Sequence, residues 1–152
     1  MIFSDESVYI IVINALVFAI IMVGFMHLWR KFIKIPIIWI VDDSLEDQQL
    51  ILRNLDGKKY KIRCFSSPKS LHIYMGIQPP NAVIADYKLN GYTINGDKVV
   101  SFCKRHDIPV VIVTGYDGEI NHIPESSIIR KHSPDFYKTL TEWLHTKVTT
   151  HA

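Results

Sequence analysis

Residues 37–44 read IIWIVDDS: five consecutive apolar residues, then two acids and a serine. The run is too short to cross a membrane and has no polar alternation. It therefore reads as a strand buried on both faces, as in a parallel sheet covered by helices. Asp42 and Asp43 end the strand. Ser44 offers a helix N-cap, with Asp47 in the first turn, where a carboxylate suits the helix dipole. Leu45, Leu52 and Leu55 predict an apolar face for that helix, and Gly57 predicts its stop.

The same alternation repeats downstream. Tyr60 to Phe65 predicts a strand with one wetter face, and Ser67-Pro68 opens a helix through about Tyr74. Residues 78–81 (QPPN) form a turn, and Ala82–Ala85 is another buried strand with Asp86 at its end. A Gly- and Asn-rich loop precedes a helix from about Gly96 to His106. Ile108–Val113 is a fourth strand, ended by Thr114-Gly115, and Ser127–Arg130 a fifth, ended by Lys131. A last helix runs from about Pro134 to His145, with Phe136, Leu140, Trp143 and Leu144 on its apolar side. Strands alternating with helices imply an α/β domain with a parallel sheet covered on both faces. Right-handed crossovers make it doubly wound and five-stranded, in the order 2-1-3-4-5.

Such sheets bind ligands outside the carboxyl ends of their strands. Asp42, Asp43, Asp86, Thr114 and Lys131 all fall there. Converging carboxylates are tolerable if a divalent cation neutralises them, and an all-oxygen site suits magnesium. A lysine and a hydroxyl opposite them can bind phosphate oxygens.

With these residues in place, IIWIVDDS, AVIADYKL, VIVTGYDG and IIRKHSP resemble the motifs of the response-regulator receiver (CheY-like) family over roughly Ile37 to Lys147. The resemblance implies a flavodoxin-like fold, with Asp86 as phosphoacceptor. It implies Mg2+ (or Mn2+) held by Asp42, Asp43, Asp86 and the backbone carbonyl of Lys88, with Thr114 and Lys131 binding the phosphoryl oxygens. The donor would be a histidine kinase or phosphotransfer protein, and the output contacts with a downstream protein. The chain would be no enzyme beyond self-dephosphorylation. Three features depart from the family pattern. His132 and Ser133 stand between Lys131 and Pro134, where a proline often follows the lysine directly. Ile128 occupies the fifth strand where an aromatic switch residue is common. The interval from Thr114 to Lys131 leaves only about Asp117 to His122 for a shortened fourth helix.

Upstream, residues 8–28 (VYIIVINALVFAIIMVGFMHL) contain no acidic, Lys or Arg residue. Their length matches the ~20 residues of a membrane-spanning helix. A cleaved signal peptide would need a basic start, a shorter apolar run and a small-residue cleavage site; Asp5 and Glu6 stand where the basic start should be. Arg30, Lys31 and Lys34 follow the run and no Lys or Arg precedes it. The positive-inside rule then puts the N-terminus outside and the domain in the cytoplasm, anchored in the inner membrane by a single pass. The expected organisation is an extracytoplasmic segment over 1–7, a span over 8–28, a basic linker over 29–35, the receiver over 36–147 and a tail over 148–152.

A net charge of +2 with no basic stripe on any predicted helix argues against nucleic-acid binding. Cys64 and Cys103 lack metal-ligand spacing and read as reduced thiols. Two other functions fit part of the pattern. A non-switching pseudo-receiver docking module would keep the acids and lose the output device. A magnesium-dependent aspartyl-phosphate phosphohydrolase would need D-x-D after its first strand, whereas the acids here are adjacent.

Overall fold

The structure, a computed structural model, describes residues 5–32, 35–89, 96–116, 118, 120–121 and 123–149. The chain divides into two units, residues 1–34 and 35–152.

The first unit is one helix, α1 (Asp5–Phe32), of 28 residues. It runs through the first positions of the expected basic linker. Tyr9 and every residue from Val12 to Phe25 are exposed around its whole circumference. Among the described residues no helix is long and apolar enough to cross a membrane, so the span expected over residues 8–28 is not found. The side chains of Val8, Ile10, Ile11 and residues 26–34 lie outside those described.

The second unit contains five parallel strands: β1 (Ile37–Val41), β2 (Lys61–Phe65), β3 (Ala82–Asp86), β4 (Val110–Thr114) and β5 (Ile128–Arg130). Their order is β2-β1-β3-β4-β5, as the βα alternation predicts. Strand alternation splits the core into two layers. Trp39, Val41, Val83, Ala85 and Ile112 point to one face, where Leu71 of α3 (Lys69–Met75) and Val99, Phe102 and Cys103 of α4 (Gly96–Arg105) cover them. Ile38, Ile40, Ile84, Val111 and Val113 point to the other. There they meet α2 (Leu45–Asn54) and α5 (Phe136–Thr149), through Ile51 and through Phe136, Leu140 and Leu144.

Three local expectations need correction. The buried side of α2 is Gln48 and Ile51, followed by Leu55 at its C-cap, while Leu45 and Leu52 face outward. Gln48 turns inward because its amide donates to the carbonyl of Asp42 at 2.5 Å, which rotates the apolar stripe. The helix also ends at a C-cap on Leu55, before Gly57.

The third correction concerns the fourth helix expected at Asp117–His122. Asp117, Glu119 and His122 lie outside the described residues, and Gly118, Ile120, Asn121 and Ile123 belong to no helix. A 3-10 turn at Glu125–Ser127 leads into β5 instead. Ile120 and Ile123 are buried and join Ile128 in the core layer, so two loop side chains cover the sheet where a helix was expected.

Candidate functional site

The sheet's carboxyl edge opens into a cavity of about 950 Å³. Asp42, Asp43, Asp47, Asp86, Lys88, Thr114, Gly115, Tyr116, Lys131 and His132 all line it. Every site residue expected from the sequence is therefore present at one edge, together with Asp47.

Local structure fixes each position. Asp42 continues the β1–β2 ladder, its N–H donating to Phe65 O at 3.0 Å. One of its carboxylate oxygens accepts from the Ser44 N–H at 2.9 Å. Ser44 caps α2 by accepting from the Asp47 N–H at 3.2 Å, which sets Asp47 in the first turn, facing the cavity. Asp86 is the last residue of β3, paired with Val113. Lys131 follows β5, and its N–H donates to Thr114 O at 2.8 Å. The Thr114 hydroxyl accepts from the Tyr116 N–H at 3.1 Å, so its own proton remains available to donate.

The centre of the site is Lys131. Its Nζ lies 3.0 Å from Asp42 Oδ2, 3.0 Å from Asp86 Oδ1 and 2.5 Å from Asp47 Oδ2. Burial holds both the Asp42 and Asp86 carboxyls above the ordinary carboxylate value, and the lysine's charge opposes that rise. The backbone N–H of Lys88 also donates to Asp86, and the charge of nearby Asp43 pushes Asp86 further up. Burial works against the charge of Lys131, but the hydrogen bond to Asp47 and the charges of Asp42 and Asp86 outweigh it. Its ammonium is held above the ordinary lysine value.

Asp42, Asp47 and Asp86 thus converge on the Lys131 ammonium, with Asp43 beside them on the cavity wall. Among the described residues no group of three or more His, Cys, Asp or Glu is arranged to hold a metal ion. The donor chemistry nevertheless suits one. Four carboxylates and two lysines line the cavity, leaving negative charge among oxygen donors that favour a hard divalent cation.

One feature escaped sequence reasoning. Gly96 begins α4 against the strand end that carries Asp86: a Cβ there would lie 2.8 Å from Tyr87 Cα and 2.9 Å from Asp86 O. The turn-rich composition of the sequence before it hides this close approach. At the rim, Tyr116 is clasped from several sides. Lys88 Nζ stands 3.8 Å from its ring centroid, Tyr87 stacks beside it, Arg130 donates to its carbonyl, and any Cβ at Gly118 would strike the ring. His132 packs against Gly115.

No family model matches the chain, and no curated protein matches it. Solved structures do. The receiver domain of an HD domain-containing protein from Pseudomonas fluorescens Pf-5 superposes with a TM-score of 0.66 at 14% identity, over 77% of this chain and 97% of that one. The receiver domain of a putative LuxO repressor protein from Vibrio parahaemolyticus gives 0.62 at 19% identity, over 76% and 91%. The N-terminal domain of a response regulator/sensory box/GGDEF protein from Carboxydothermus hydrogenoformans gives 0.62 at 17% identity, over 76% and 95%. The structural neighbours are thus signal receiver domains of response regulators. At these identities the likeness is one of fold, the receiver fold.

Proposed function

We propose that the chain is a membrane-anchored receiver of a two-component phosphorelay, phosphorylated on Asp86 and acting through protein contacts. The observation that carries this is Lys131 Nζ bridging Asp42 and Asp86, 3.0 Å from each, at the carboxyl edge of a receiver-fold sheet. A histidine kinase or phosphotransfer protein supplies the phosphoryl group. An Asp86 oxygen attacks phosphorus, the P–N bond to the histidine breaks, and the electron pair returns to the imidazole nitrogen, which takes a proton. Lys131 and the free hydroxyl proton of Thr114 bind the phosphoryl oxygens. Asp42, Asp43, Asp86 and the Lys88 carbonyl would hold Mg2+ or Mn2+, whose charge offsets that of the carboxylates and the phosphoryl group. Most of the catalysis is then positioning and charge neutralisation.

Anchoring is supported by α1. It exposes Val12, Ile13, Leu16, Val17, Phe18, Ile20, Ile21, Val23 and Phe25 on all sides, far more apolar surface than a helix in water carries. The basic residues after it favour a cytoplasmic domain at the inner membrane.

The test is incubation with acetyl phosphate and magnesium, read by intact-protein mass. Wild type should gain one base-labile phosphoryl group and Asp86→Asn none. Incorporation that survives Asp86→Asn would sink the assignment. Carbonate-washed membranes should retain the full chain and release a Leu16→Lys/Ile20→Lys variant.

A second reading, a non-switching docking module, is favoured by the β4–β5 connection, in which Ile120, Ile123 and Ile128 are packed together. It predicts no phosphoryl uptake in wild type and partner binding unaffected by Asp86→Asn.

A further inference from the structure

We infer that Asp47 is a positioning residue that competes with the phosphoryl group for Lys131 and so sets how tightly the site holds that group. The inference rests on the phosphoryl-accepting function proposed above and adds a residue to it.

A lysine ammonium has three protons and no acceptor. In the structure three carboxylates surround it, those of Asp42, Asp47 and Asp86. Hydrogen bonds to Asp42 and Asp47 occupy two of its protons and Asp86 stands 3.0 Å away, so the arriving group competes with these carboxylates for the ammonium. The three partners are not equal. The side chains of Asp42 and Asp86 are 2% and 10% exposed, and leaving either without its cation strands a buried charge. The side chain of Asp47 is 36% exposed, so water takes over its solvation when the lysine leaves. Asp47 is therefore the partner released.

Asp47 is also the closest of the three, at 2.5 Å, and the Ser44 cap holds its backbone in place. While it keeps its charge, it pulls Lys131 toward the cavity mouth and repels an incoming anion. Both effects act in one direction: removing the charge strengthens phosphoryl binding.

The experiment is calorimetric titration of the full chain in detergent with beryllofluoride in the presence of magnesium, beryllofluoride being a stand-in for a phosphoryl group on a carboxylate. Asp47→Asn and Asp47→Ser should each bind roughly two- to fivefold tighter than wild type, the scale of a partly exposed charged contact. Asp47→Glu should return toward the wild-type value. A purely structural role at the start of α2 would lower affinity in the first two and give no rescue by Glu. Tighter binding in Asn and Ser with reversal by Glu supports the inference. Equal or weaker binding in folded Asn and Ser variants, with wild type binding normally, overturns it and leaves the phosphoryl-accepting function standing. No binding in wild type or any variant, all with native circular dichroism, overturns that function and the inference with it.

Discussion

Lys131→Met removes the ammonium and keeps most of the aliphatic stem, so it tests what one cation does for three carboxylates. Asp42 and Asp86 are 1% and 7% exposed, and each loses a partner 3.0 Å away. Removing one side of a buried ion pair typically costs about 3–5 kcal/mol. The half-exposed Asp47 contact adds at most about 1 kcal/mol. Protonation of the acids relieves part of the loss, so the net cost at pH 8 is roughly 2–4 kcal/mol. For a unit of this size that lowers Tm by roughly 10–20 °C.

The pH dependence has a definite sign. The folded-state pKa of Lys131 is raised, so its contribution is complete below the ordinary lysine value and lost only as pH rises through the folded one; between pH 5 and 8 it is constant. The folded-state pKa values of Asp42 and Asp86 are raised as well. Between their ordinary and folded values the native state binds more protons than the unfolded chain, so stability falls as pH rises through that window. Without Lys131, which lowers both values, the window extends upward. The gap between variant and wild type should therefore widen from pH 5 to pH 8. Melts followed by circular dichroism at pH 5, 6.5 and 8 measure this directly. An unchanged Tm at pH 8, or a gap that grows toward acid, would refute the argument. Adding Asp86→Asn to Lys131→Met should recover part of the loss, since one stranded charge disappears.

Three further outcomes are expected. Gly96→Ala must push α4 away from Tyr87 and the Asp86 carbonyl and should cost about 1–3 kcal/mol in urea unfolding; a loss below about 0.5 kcal/mol would mean the helix start has room to yield. Burial pushes the Cys103 thiol up to about 12, so iodoacetamide at pH 8.5 should label it only as fast as the domain unfolds. Rapid labelling of the folded protein would contradict its placement in the core. Tyr116→Ala should speed the decay of phosphorylated protein several-fold, because the ring clasped by Lys88 and Tyr87 shields the site from water; an unchanged decay rate would show that the ring shields nothing.

The parallel sheet was legible in IIWIV, AVIA and VVIVT because a strand buried on both faces must be apolar at every position. Strand order followed from the βα alternation, since right-handed crossovers leave few alternatives. Asp42, Asp86, Thr114 and Lys131 could be placed at one edge for the same reason: each directly ends or follows a strand, and parallel strands finish together. Three things were decided only in three dimensions. Asp47 reaches Lys131 across 84 residues through the phase of α2, which the Ser44 cap and the inward turn of Gln48 set; the leucines alone pointed to the wrong face. Gly96 meets the backbone after Asp86 because α4 starts against the end of β3, and composition carries no record of that approach. The β4–β5 connection covers the sheet with Ile120 and Ile123 outside any helix, since a core needs only apolar volume at the right place. Periodicity encodes local structure and, through it, the layers of a fold, whereas contacts between separate elements depend on side-chain directions that emerge only when those elements pack.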